Sequence, residues 1–149
     1  MKTFVSVRWD SDEGHSVRSF EDADSGDVLQ LVTGLIEQLD GGVRTLVTIE
    51  GKSTFLGVGG DAKIGLVSTF SDNDPDLLAQ PRLLQQMPGR LAEADEMVVM
   101  LVGGQPAEWP SSELVERSEA LEAADFYVRY QEPLPGITWK THLGGHARF

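Results

Sequence analysis

Residues 43–70 read VRTLVTIEGKSTFLGVGGDAKIGLVSTF, and this stretch decides the fold. Three runs rich in β-branched and aromatic residues, at 43–50, 53–58 and 63–70, are separated by Gly51-Lys52 and by Gly59-Gly60-Asp61. Short glycine turns between such runs predict an antiparallel meander. The sub-stretch GVGGDAK at 57–63 has the flavour of a phosphate loop but fails on spacing and context. A phosphate loop needs four residues between its first glycine and Gly-Lys-Ser/Thr, and a helix after it. Here a strand follows, so a tight hairpin is the expectation.

Working outward from the meander, residues 25–40 place Val28, Val32, Leu35 and Leu39 at helical spacing, with Leu29 and Ile36 widening the stripe. Ser25 is the expected N-cap, Asp27 lies in the first turn, and Asp40-Gly41-Gly42 stops the helix. Further upstream, TFVSVRW at 3–9 alternates with period two, except at Phe4. DSDEG turns the chain, HSVRSF at 15–20 returns as the second arm of a hairpin, and EDADSGD reads as an acidic loop.

Downstream, SDNDPD reads as an exposed acidic loop, and Pro81 and Pro88 confine any helix in 77–90 to a short or broken one, packed through Leu77, Leu78, Leu83 and Leu84. MVVMLV at 97–102 is apolar at every position and predicts a central strand covered on both faces. After Pro110, Ser111 or Ser112 is expected to cap a second helix with Leu114, Leu121, Ala124 and Val128 buried and Glu116, Glu119 and Glu122 solvated. A last short strand is expected at 137–139, and a loose tail over 141–149. The sum is one α+β domain over 1–149, a mostly antiparallel sheet with two main helices packed against it.

Twenty-four acidic side chains stand against twelve basic ones, a net charge of −12, with no cysteine and three histidines. Absence of cysteine excludes disulfides and thiolate metal sites and fits a reducing cytoplasm. The opening MKTFVSVRWDSDEG carries no long apolar run, so neither a signal peptide nor a membrane span is expected. The sign of the charge disfavours direct contact with nucleic acid or an anionic membrane and favours a basic protein surface. Acidity serving only to keep the chain dissolved is the plainer alternative.

Catalytic groups lack an anchor. There is no Gly-x-Ser-x-Gly elbow for Ser-His-Asp chemistry. The acids cluster in segments expected to be solvated, where no carboxyl is desolvated into a general acid. His142 and His146 have a ligand spacing only on a helix, and Gly144 and Gly145 lie between them; His15 stands alone. No catalytic residue, metal ligand or cofactor is therefore assigned. The binding candidates are the acidic clusters Asp10, Asp12 and Glu13; Glu21, Asp22 and Asp24; Asp72, Asp74 and Asp76; and Glu93, Asp95 and Glu96. Each falls between expected elements, where loops carry function, although a solvated turn is the ordinary role of any one of them. Trp9, Trp109 and Trp139 are the only tryptophans; core packing is their ordinary role and an interface anchor the other.

The C-terminal stretch GGQPAEWPSSELVERSEALEAADFYVRYQEPLPGITW, with the Leu-rich helix and the TLVTIEGKSTFLGVGGD hairpin upstream, resembles the first-numbered immunity-protein family of bacterial polymorphic toxin systems. The likeness covers roughly residues 25–140, and Gly59, Gly104, Glu108, Pro110 and Trp139 match its pattern best, as fold-determining positions. It implies a non-enzymatic cytoplasmic antidote. Such a protein binds the basic toxin domain encoded beside it, commonly a nuclease or nucleic-acid deaminase, as a monomer or 1:1 complex, and blocks its active site. The alternative is a small-ligand-binding protein or enzyme using a pocket beside the sheet.

Overall fold

The computed structural model describes residues 2–72, 84–86, 97–141 and 146–148. The elements are β1 (Lys2–Ser11), β2 (Gly14–Asp24), α1 (Ser25–Glu37), β3 (Leu46–Glu50), β4 (Thr54–Asp61), β5 (Gly65–Asp72), β6 (Leu84–Gln86), β7 (Met97–Val102), β8 (Gln105–Pro110), α2 (Arg117–Tyr130), β9 (Thr138–Thr141) and β10 (His146–Arg148). Eight strands form one antiparallel sheet in the order β10-β9-β6-β5-β4-β3-β1-β2, and β7 and β8 form a separate ribbon. The protein is an α+β fold with a mostly antiparallel sheet and two helices against it, as expected.

Strand alternation sorts the sheet into two faces. Val5, Val7, Val47, Ile49, Leu56, Val58, Leu66 and Phe70 point to one face, where they meet Val28, Val32 and Ile36 of α1 and Ala120, Ala123, Ala124, Tyr127 and Val128 of α2. The alanines of α2 let it approach closely. Tyr127 is fully buried as a ring, yet its hydroxyl donates to the Thr54 carbonyl at 2.7 Å and accepts from the Gly51 N–H at 3.0 Å. Burial raises its phenol above the ordinary tyrosine value.

The opposite face is covered at one end by the β7–β8 ribbon. Met100, Val67 and Leu114 are buried there, with Val98 and Trp109 packed against them. The expectation for β7 is corrected: Met97 and Val99 are 54% and 64% exposed, and only alternate residues face inward. A single partner strand and a single covered face explain this. Gly59 and Gly60 are not turn residues either. They lie inside β4, and the turn falls at 62–64, where Asp61 Oδ1 accepts from the N–H groups of Lys63 and Ile64 at 2.8 and 3.2 Å. A Cβ on Gly59 would stand 2.6 Å from Val102 Cγ1 and 3.0 Å from the Thr45 carbonyl oxygen. Gly59→Ala is therefore expected to lower stability by about 1–3 kcal/mol, by forcing the ribbon off the sheet. Thermal unfolding followed by circular dichroism reads this directly.

Other boundaries move for local reasons. Asp24, not Ser25, caps α1, its Oδ1 accepting from the Gly26 N–H at 2.8 Å. The acidic run after residue 20 is strand, because β2 continues to Asp24. Ser111–Glu113 make one 3-10 turn, after which Leu114 and Val115 are extended and buried. Two backbone bonds between Leu66 and Val115, at 3.0 and 2.8 Å, hold that extension, so α2 starts only at Arg117, with Glu119 Oε1 accepting from the Glu116 N–H at 3.4 Å. Residues 84–86 are extended, not helical, since β6 pairs with β5 and β9. Residues 146–148 of the expected loose tail pair with β9, next to the fully buried Trp139.

β3 begins three residues later than expected, because residues 42–44 are used by Asp40. Its Oδ1 accepts from the N–H groups of Gly42, Val43 and Arg44 at 3.0, 2.9 and 3.0 Å. The Gly42 and Arg44 bonds hold its carboxyl below the ordinary aspartate value. The unfolded chain therefore binds this proton first on acidification. The contribution is complete above the unfolded value, about pH 4, and is lost as pH falls through the folded one. Asp40→Asn is expected to flatten the loss of stability below about pH 4, measured by urea unfolding across pH.

Candidate protein interface

The β1–β2 hairpin carries most of the described acidic candidates, split between its tip and its base. Its register runs from Ser11↔Gly14 through Val5↔Phe20 without interruption. It then slips, so that Glu21 and Asp22 together oppose Phe4, with Asp22 at φ 51. This β-bulge bends the ribbon and turns carboxylates outward. β2 is the end strand of the sheet, so among the described residues nothing pairs with its outer edge.

Acids stand at both ends of that edge. Asp12 and Glu13 form the exposed hairpin tip, and Glu21, Asp22 and Asp24 the exposed base. Asp10, grouped with the tip by sequence, is turned inward. Its Oδ1 accepts from the N–H groups of Thr45 and Leu46 at 2.7 and 2.9 Å, and its Oδ2 from Thr45 Oγ1. Asp72 ends β5 opposite Thr54, on the far side of β4 from the hairpin. Asp74, Asp76, Glu93, Asp95 and Glu96 lie outside the described residues, as does His142. His146 opens β10.

The helix-free face carries Phe4 at the base, opposite Glu21 and Asp22, and Val17 between the acidic ends, 60% and 53% exposed, with Ser6 and Ser19 joined by a 3.0 Å hydroxyl contact. Arg8 is neutralised across the face by Glu50, at 2.8 Å. A groove of about 490 Å³ opens beside Phe4, lined by Phe20, Glu21, Glu50 and Lys52 among others. Its floor is fastened from α2. Gln131, in the left-handed conformation at φ 53, donates to the Phe4 carbonyl and accepts from the Lys52 N–H, both at 2.9 Å. The exposure of Phe4 is thus set by anchored backbone. Its signal in the sequence is the single apolar residue out of phase in the alternation of β1; Glu50 and Gln131 carry no such signal.

Among the described residues no group of three or more His, Asp or Glu is placed to hold a metal ion, and no helix is long and apolar enough to cross a membrane. The positions that best match the immunity pattern scatter. Trp139 is buried, Gly59 meets the ribbon, Gly104 donates to Thr45 Oγ1 at 3.0 Å, Glu108 is exposed, and Pro110 pairs opposite Met97. No family model matches the chain, and neither a curated protein nor a solved structure matches it.

Proposed function

We propose that this chain is a cytoplasmic immunity protein: it binds a cognate basic toxin domain that acts on nucleic acid, a deaminase or nuclease, and occludes its active site without turnover. The observation that carries the reading is the edge hairpin β1–β2, acidic at its tip and base and with Phe4 and Val17 exposed on its helix-free face, on a chain of net charge −12. A domain that works on DNA or RNA presents cations to phosphates. An acidic surface competes for those cations, and exposed aromatic and aliphatic side chains provide the contact area that salt does not screen.

The test is co-expression with the toxin domain encoded in the neighbouring reading frame. Rescue of growth and a 1:1 complex are expected; absence of both overturns the reading. Neutralising Asp12, Glu13, Glu21 and Asp22 together to the corresponding amides is expected to slow association about tenfold or more at low salt and to reduce its salt dependence. Stopped-flow association rates at several ionic strengths check this. The groove beside Phe4 favours a second reading, a small-ligand-binding protein or enzyme. Its carboxylates are Glu50, held by Arg8, and the exposed Glu21, a poor match to a desolvated general acid. Conversion of a metabolite by the purified chain would favour this second reading.

A further inference from the structure

The geometry points to strand addition: a basic, extended segment of the partner pairs with the outer edge of β2 along residues 14–21 and places one lysine or arginine over Phe4 beside Glu21. The inference deepens the binder reading and rests on it for the identity of the partner.

Three observations converge. First, among the described residues β2 ends the sheet and nothing pairs with its outer edge, and residues 14–20 keep an uninterrupted register with β1 up to the bulge. A straight strand at a sheet edge offers a row of unpaired N–H and C=O groups, which an added strand satisfies. Second, side chains of an added strand alternate between faces. Those on the helix-free side would lie over Val17, Ser19 and the near wall of the groove, Phe4 and Glu21, while Lys52 and the Arg8-paired Glu50 line its far side. An aromatic face next to a carboxylate suits a basic side chain with a long aliphatic stem. Third, the charges select the occupant. Acids at the tip and the base would face one another if two copies paired antiparallel through β2, and the net charge of −12 on each copy opposes any such approach. The same acids attract a cationic strand. Charge therefore guards the edge against self-pairing and leaves it open to one class of partner.

The experiment uses the full chain and two eight-residue probes, one alternating threonine with lysine or arginine, the other with glutamate at each basic position. Hydrogen–deuterium exchange at saturating cationic peptide is expected to slow the amides of residues 14–21 about tenfold or more, leave β4 unchanged, and show no slowing with the acidic peptide. Glu21→Lys is expected to weaken the cationic peptide about tenfold or more, while Glu122→Lys, the same charge change on the exposed side of α2, changes it less than about twofold. Equal slowing by both peptides, slowing elsewhere than β2, no slowing, or equal loss in the two variants overturns strand addition. Co-expression separates this from the toxin reading. If Glu21→Lys and Phe4→Ala variants still rescue cells fully, the antidote stands and the edge is not its site. If the cationic peptide protects β2 but the unaltered chain rescues nothing, the edge stands and the antidote falls.

Discussion

Trp139→Ala is expected to lower the free energy of unfolding by about 3–5 kcal/mol, the largest single effect in the chain. Trp139 is fully buried and heads the largest buried side chains. Truncation removes the transfer energy of the indole and leaves a void that β9, paired on both sides to β6 and β10, is not free to fill. It also releases the Leu134 carbonyl, which accepts from the indole N–H at 3.1 Å. Since a domain of this size has about 5–15 kcal/mol in all, the variant sits near its unfolding threshold. Trp139→Phe keeps much of the volume and is expected to lose about 1–3 kcal/mol. Urea unfolding monitored by circular dichroism measures both, and a loss below about 1 kcal/mol for the alanine variant would show that the site collapses freely.

Asp10→Ala is expected to cost about 2–4 kcal/mol, although the residue sits next to an exposed acidic tip where neutralisation is nearly free. Its carboxylate takes the N–H groups of Thr45 and Leu46 at the start of β3, together with the Thr45 hydroxyl, and that hydroxyl receives the Gly104 N–H from the turn of the β7–β8 ribbon. One carboxylate thus ties β1 to β3 and, through Thr45, to the ribbon. Its removal strands two backbone donors in a half-buried place, where charge-assisted bonds are worth about 1.5–3 kcal/mol each and do not add fully. Asp12→Ala and Glu13→Ala are expected to stay within about 0.5 kcal/mol of the parent. Side-by-side chemical unfolding of the three variants checks the contrast. A partner-binding loss in Asp10→Ala is then to be judged against its loss of fold, whereas a loss in the other two reports on the interface.

What the chain discloses depends on how far apart the cooperating residues lie. The meander at 43–70 is legible because its alternation is local, although its second turn falls at 62–64 and not at Gly59-Gly60. α1 is legible for the same reason, its stripe closing within four turns. MVVMLV is misread because a run that is apolar throughout says nothing about which face is covered; that is decided by Val67 and Gly59, about thirty to forty residues earlier. Asp10 is misread because its partners begin thirty-five positions away, and a carboxylate that binds distant N–H groups looks in sequence like one that binds water. The acid-flanked edge is half legible. The charges are plain in the sequence, but that β2 ends the sheet follows from β1 taking β3 as its other neighbour, a pairing that no local pattern fixes.

The place of β9 has a consequence for how the sheet comes apart. The strand carrying Trp139 is the link through which β10 joins β6. Once β9 leaves, β10 has no neighbour among the described strands to hold it, so the two open as one cooperative unit and their amides share a single opening free energy. The buried indole is thus the latch of a two-strand flap, and any change that loosens it frees both strands together.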